Sequence, residues 1–395
     1  MIRREIPKGR VQSFSQVIDK VSEIAQRVRE RGDTALRELT LELDGIKLDS
    51  LVLDKDYIDG RASELGDEMR EAIDRVWVQL TSFHEMMRPP NVGGGNGKIK
   101  YGVIWTALNR VGIYVPGGKK TYPSTLMMAG IPARVAGVSE LFVSTPVRNR
   151  LDPAIAYVAQ KLKVKAIYPV GGAQAIVAMA FGTESVSKVD KIIGPGNIYV
   201  QAAKYLVSGE VGIDGIEGPT ELVVIADDSS DPKRIALDLM AQGEHGSSSL
   251  LVLISDSERI LDEVSKLLNE GNEYFLVKVK SLDEAIDIAN EIAPEHLSLY
   301  SSRAREYLSK VKNSAAVTLG DTPPALIDYA AGPDHILPTN GWSRFRGGIT
   351  VFDFLKPISH VDAEKADENL IRAAMKIAEY EGFSIHARSI GVRYE

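Results

Sequence analysis

The 395-residue sequence contains no cysteine. That absence excludes disulfides, thiolate nucleophiles, iron–sulfur clusters and cysteine-based zinc sites, so any metal must be held by imidazole, carboxylate or amide groups. Histidine is scarce as well, with six in all. Basic residues are outnumbered, 47 Lys and Arg against 54 Asp and Glu, giving a net charge of −7 with no basic block. No nucleic-acid partner is expected from such a balance. No apolar run approaches the roughly eighteen residues of a membrane-spanning helix, so no membrane partner is expected either. The opening MIRREIPKGR lacks the apolar core of an export signal, which makes a cytoplasmic location the expectation.

Several signatures are also missing. The dinucleotide fingerprint GxGxxG fails: Gly194-Pro-Gly196-Asn197 supplies two glycines, but Tyr199 stands where the third belongs. The stretch NVGGGNGK at 91–98 fails as a phosphate loop, since Val92 occupies the first glycine position and Ile99 follows Lys98 in place of Ser or Thr. It reads as a loop or hinge. The HExxH pattern of zinc hydrolases does not occur.

What is present is an ordinary globular composition, 44% hydrophobic and 26% charged, in a chain long enough for two or three domains at about 150 residues each. The first forty residues look helical, with Val17, Val21, Ile24 and Val28 at helical spacing, Gly32 ending the pattern and Asp33 placed to cap the next helix. From residue 110, short apolar runs (VGIYV, LFVST, AIYPV, then LVVIA and LLVLI) alternate with amphipathic stretches such as PAIAYVAQKLK and SERILDEVSKLL. That alternation predicts βαβ units and parallel sheets in two blocks, before and after about residue 220, with a polar helical tail beyond 350.

Candidate chemistry gathers around the histidines. Gln242-Gly-Glu-His245 closes a helix that opens with Asp231 and Pro232, and residues three apart share a face, so an amide and an imidazole could grip one metal. On spacing alone, a polar helix end meeting solvent is the stronger reading. Ala293-Pro-Glu-His-Leu297 sets an acid beside an imidazole, two proton-transfer groups that suit a reaction with more than one proton step. Both reach one substrate only in an irregular turn, which Pro294 allows; the bland alternative is a capped helix start with a surface histidine. Asp328-Tyr-Ala-Ala-Gly-Pro-Asp-His335 and Glu381-Gly-Phe-Ser-Ile-His386 each hold an acid and a histidine in segments that could build a site or simply turn a corner. Gly-rich turns after strands, at Pro116-Gly-Gly118, Gly171–Gln174 and Gly194–Asn197, would let a ligand approach backbone closely.

Taken in order, VGIYVPGG, GGAQAIVAMAFGTESVSKVDKIIGPGN, GPTELVVIAD, AQGEH, APEHL, DYAAGPDHILPT and EGFSIH resemble the histidinol dehydrogenase family from about residue 17 onward, and the early RGDTALRELT fits it too. The resemblance implies oxidation of L-histidinol to L-histidine through histidinaldehyde, with two NAD and one zinc per subunit. It implies Gln242, His245, Asp328 and His386 as metal ligands, an all-nitrogen-and-oxygen set that suits zinc or manganese. His296 would be the general base and Glu295 the activator of water. Thr220, where the family usually has Ser, would contact substrate, as would Gln242, His245, His296, Asp328, His335, Glu381 and His386. NAD contacts would fall on Tyr114, Gln174 and Asn197. The family fold is α/β, two incomplete Rossmann-like domains of aldehyde-dehydrogenase-like type, the second inserted in the first, with small terminal segments. In this numbering that implies 1–16 as an N-terminal segment, 17–113 with 221–349 as domain one, 114–220 as domain two on the NAD side, and 350–395 as a C-terminal segment. A homodimer with shared active sites is implied, Glu381 and His386 coming from the partner. His84 and His360 match no functional position. The rival readings are an NAD- and zinc-dependent dehydrogenase of a related amino-alcohol or sulfonate-alcohol, a zinc-dependent hydrolase, and a non-catalytic protein that keeps the fold.

Overall fold

The short apolar runs form strands and the amphipathic stretches between them form helices. In the computed structural model, which describes residues 1–7, 13–95, 98–117, 120–363 and 366–394, Glu221–Ala226 and Leu250–Ser255 are buried at every position. Their side chains divide between two faces. Leu222, Val224, Leu251 and Leu253 pack on one side with Ile235 and Leu239, while Val223, Ile225, Val252 and Ile254 pack on the other with Ile286 and Ala289. A sheet covered on both faces needs such unbroken apolar strands.

Two parallel sheets result, giving the α/β class expected. The six-stranded sheet runs in the order Ile2–Arg3, Tyr274–Lys278, Leu250–Ser255, Glu221–Ala226, His296–Tyr300, Ala316–Leu319. The five-stranded sheet runs Ala166–Tyr168, Glu140–Ser144, Arg110–Tyr114, Lys191–Ile193, Gly212–Ile213. Apart from the edge strand Ile2–Arg3, the chain in each sheet starts near the middle, moves outward, then returns to the other side. The order therefore reverses between Arg110–Tyr114 and Lys191–Ile193 in one sheet, and between Glu221–Ala226 and His296–Tyr300 in the other. Such switch points leave a crevice suited to a ligand.

The chain divides into two compact units, Met1–Arg88 with Leu108–Phe354, and Pro89–Ala107 with Leu355–Glu395. Both parallel sheets lie in the first. The second holds a three-stranded antiparallel sheet, Leu355–Asp362, Lys100–Ala107 and Val92–Gly95, and the helices Glu368–Tyr380 and Ser384–Gly391. Among the described residues no helix is long and apolar enough to cross a membrane.

Three local expectations are corrected. Residues 92–95 of the Gly cluster are an edge strand, not a loop, because their backbone pairs with Lys100–Val103; residues 96–97 lie outside the described residues. The chain start is not helical: Ile2–Arg3 is a strand beside Tyr274 and Phe275. The first long helix, Ile18–Asp44, is broken at Gly32 (φ 48°, ψ −128°), yet Asp33 caps nothing. Its carboxylate instead accepts from the Thr183 hydroxyl at 2.6 Å and the Ser185 hydroxyl at 2.5 Å, long-range partners that local sequence does not announce.

Candidate active site

The helix Pro232–Gly243 begins as its sequence requires, with the Asp231 carboxylate accepting from the Lys233 N–H at 2.9 Å and Pro232 in the first turn. Its carboxyl end delivers Gln242, which is buried, and His245, exposed just beyond. The negative end of the helix dipole favours a cation there. Gln242 donates its Nε2 to the Thr220 hydroxyl at 2.5 Å, so its carbonyl Oε1 is the atom left to act as a ligand. The Thr220 hydroxyl in turn donates a hydrogen bond to the Glu295 carboxylate, and the same Glu295 oxygen accepts the Glu221 N–H at 2.8 Å. One directed chain thus runs from Gln242 through Thr220 to Glu295.

Glu295 and His296 follow a helix end, not a helix start. The helix Leu282–Ile292 stops at Ala293 in the left-handed region (φ 54°), Pro294 follows, and His296 opens the strand His296–Tyr300. The turn anticipated at Pro294 exists, but the surface histidine does not: His296 is 2% exposed. Its Nε2 lies 3.3 Å from Asp328 Oδ1, and its Nδ1 is buried with no partner among the described residues. Asp328 sits on the short helix Ala325–Tyr329 and its carbonyl oxygen faces His335 Nδ1 at 2.8 Å. A carbonyl only accepts, so Nδ1 carries the proton and Nε2 accepts from the Thr125 hydroxyl at 3.3 Å. Thr220 and Glu295 stand at the amino ends of the two strands that flank the switch point. Catalytic groups at open α/β sheets ordinarily sit at the carboxyl ends.

The electrostatics follow from this burial. Loss of solvent raises the Glu295 carboxyl above its usual range, and the His296 charge and the bonds from Thr220 and Glu221 only partly offset it. Burial works to lower His296, but the Asp328 hydrogen bond and the Glu295 charge outweigh it and raise the imidazole. Burial lowers His335, which fits the neutral ring its hydrogen bonds require.

Gln242, His245 and Asp328 line one cavity of about 760 Å³. Its other walls are Met69, Ile73 and Val76 on one side and Lys120, Tyr122 and Ser124 on another. Asp238, one helical turn before Gln242, also lines it and is pushed up to about 6 by burial and the Asp321 charge. Among the described residues no three His, Asp or Glu groups stand so that they could hold a metal ion between them. The first unit offers two such groups, His245 and Asp328, together with the Gln242 amide. His386 and Glu381 lie on the second unit and are exposed.

The three residues implied for NAD stand at the carboxyl side of the five-stranded sheet. Tyr114 ends its central strand, Gln174 is in the first turn of Gly172–Phe181, and Asn197 caps Ile198–Val207. Tyr114 and Asn197 flank that sheet's switch point. The Tyr114 hydroxyl accepts the Gly172 N–H at 3.1 Å, and Gln174 Oε1 is buried with no partner among the described residues. Gly194 lets the next turn approach: a Cβ there would come within 2.0 Å of the Tyr114 carbonyl oxygen. Gly118 of the Pro116 turn lies outside the described residues. Thr125 and Glu221 were not apparent from sequence. Glu221 is adjacent to Thr220, but nothing in the sequence shows that its carboxylate accepts the Glu295 N–H at 3.2 Å.

Comparison with known proteins identifies the family. The histidinol dehydrogenase family model matches residues 8–394. A histidinol dehydrogenase of Sulfolobus acidocaldarius is 59% identical over the full length of both chains. The crystal structure of histidinol dehydrogenase from Elizabethkingia anophelis superposes with a TM-score of 0.94 at 31% identity, covering 100% of this chain and 97% of that one. A propionaldehyde dehydrogenase from Rhodopseudomonas palustris shares the fold alone, at 14% identity and a TM-score of 0.50 over 89% of this chain and 92% of its own. The chain belongs to the histidinol dehydrogenase family, NAD- and zinc-using enzymes of the last step of histidine biosynthesis.

Proposed function

We propose that this chain oxidises L-histidinol to L-histidine in the cavity bounded by Gln242, His245 and Asp328, with Glu295 and His296 dividing the proton work. When bound, zinc would supply a cation that orients the substrate and NAD would supply the hydride acceptor for both oxidations. Gln242 Oε1, His245, Asp328 and His386 are the metal-holding set, and the dipole at the Gln242 helix end favours the cation they would share. His296 accepts the alcohol proton. A cation held by Asp328 would weaken the hold of that carboxylate on the imidazole, which favours the neutral, proton-accepting ring. Glu295, kept basic by burial, activates the water that adds to the aldehyde, and His296 serves again in the second oxidation. Thr220, His335 and Glu381 contact substrate. Tyr114, Gln174 and Asn197 contact NAD.

The domain scheme belongs to the same reading: 17–113 with 221–349 as the metal-bearing domain, 114–220 as the NAD domain, and 350–395 completing the active site of a partner in a cytoplasmic homodimer. The observation that carries the reading is the hydrogen-bonded chain from Gln242 through Thr220 to Glu295, which ties a candidate metal ligand to the candidate base. A hydrolase would leave the switch-point crevice at Tyr114 and Asn197 without a purpose. Single-turnover measurements test the division of labour. Glu295→Gln slows the aldehyde-to-acid half more than the alcohol half, whereas His296→Asn impairs both; equal slowing of both halves by Glu295→Gln contradicts it.

A further inference from the structure

Lys204, on the helix Ile198–Val207, is completely enclosed. Its ammonium lies 2.5 Å from the Asp214 carboxylate and 3.2 Å from Glu217, and it donates to the Gly194 carbonyl at 2.7 Å. The other Asp214 oxygen accepts the Gly194 N–H, also at 2.7 Å. A single buried ion pair therefore holds both backbone polar groups of Gly194. Gln201 adds a second grip, donating to the Gly196 carbonyl at 3.4 Å and accepting the Glu217 N–H at 3.0 Å.

An enclosed ion pair is a poor route to stability, since apolar residues of similar volume commonly do as well or better. Its placement matters more. Gly194 is in the left-handed half of backbone space (φ 131°), a conformation that must be held, and it packs directly on the Tyr114 carbonyl at the switch point. The turn it opens ends at Asn197, whose side chain accepts the Tyr199 and Val200 N–H groups and so has its oxygen fixed. The segment from Asp214 through Glu217 runs on to Thr220, so the same loop reaches the substrate side.

We propose that Lys204 and Asp214, with Glu217 and Gln201, are positioning residues for NAD: a buried clamp that sets the Gly194–Asn197 turn against Tyr114 and so shapes the floor of the dinucleotide crevice. The proposal rests on reading Tyr114, Gln174 and Asn197 as the NAD side.

The test is NAD affinity measured by calorimetry on zinc-loaded protein without substrate, with zinc content and histidinol binding measured on the same samples. Three variants are compared: Lys204→Met, the triple variant Lys204→Met with Asp214→Leu and Glu217→Gln, and Asn197→Ala. The triple variant removes the ammonium together with both carboxylates paired to it, and keeps the experiment informative where the single one misfolds. The clamp predicts NAD binding weakened about tenfold or more in the folded Lys204 variants, with zinc content and histidinol binding retained. A purely structural role lowers all three in proportion, which overturns the proposal. Asn197→Ala weakening NAD while the Lys204 variants bind it normally overturns the clamp and leaves the NAD side standing. Unchanged NAD binding in Asn197→Ala overturns that reading and the clamp with it.

Discussion

Thr220 shares its hydroxyl between two side chains, accepting from Gln242 and donating to Glu295. Its extra methyl, relative to the serine the family usually has, changes none of that bonding capacity. Thr220→Ser is therefore expected to keep activity close to unchanged, while Thr220→Val removes both bonds and lowers kcat/KM by about 10- to 100-fold, the range typical when support behind a metal ligand is lost. Zinc affinity measured alongside falls in the valine variant only; equal kinetics for the two variants would remove Thr220 from the site. Sequence reached residues of this kind unevenly. Helical spacing offered Gln242 and His245 as a pair on one face, but on spacing alone a solvated helix end was the stronger reading, and the resemblance singled them out. Asp328 lies in the last turn of a short helix and His335 follows in a segment without periodicity, and only the family resemblance joined them. Thr125 and Glu221 escaped because their partners are brought by the fold from distant segments, and Lys204 because its partners lie across turns that carry no periodicity.

At the scale of elements, the helix Asp67–Met87 supplies Met69, Ile73 and Val76 to the cavity wall and buries His84 four residues past Leu80. His84 is fully buried, neither ring nitrogen has a partner among the described residues, and burial lowers its pKa from 6.5 to about 4 despite the nearby Asp353 charge. A depressed histidine gives stability that is complete above its unfolded value and lost as pH falls through the folded one. Denaturation between pH 6.5 and about 4 is thus expected to show a loss approaching about 3 kcal/mol from this group. His84→Leu removes that share of the acid slope; a slope identical to the parent's would contradict the assignment. The strands Arg110–Tyr114, Glu140–Ser144, Ala166–Tyr168, Glu221–Ala226 and Leu250–Ser255 could be read from their apolar runs, but Ile2–Arg3, Val92–Gly95 and Leu355–Asp362 could not: glycines carry no pattern, and the pairing of Val92–Gly95 is set by the neighbouring Lys100–Ala107.

For the whole molecule, the first unit holds Gln242, His245, Asp328, Glu295 and His296, and the second holds Glu381 and His386. The proposed homodimer with shared sites makes a clear prediction for mixtures. His296→Asn and His386→Ala chains are each expected to be inactive alone, but when dissociated and reassembled together they regain about a quarter of parental activity, because half the dimers are mixed and each carries one intact site. No recovery in verified mixed dimers would place His386 in its own chain's site.

The most direct test of the account is the stoichiometry of NADH formed from L-histidinol, followed at 340 nm before chelation, after it, and after zinc is restored. The account predicts about two NADH per substrate, lost with the metal and regained with it, since alcohol and aldehyde are oxidised in the same cavity. One NADH per substrate, or two that persist in metal-free protein, would contradict it.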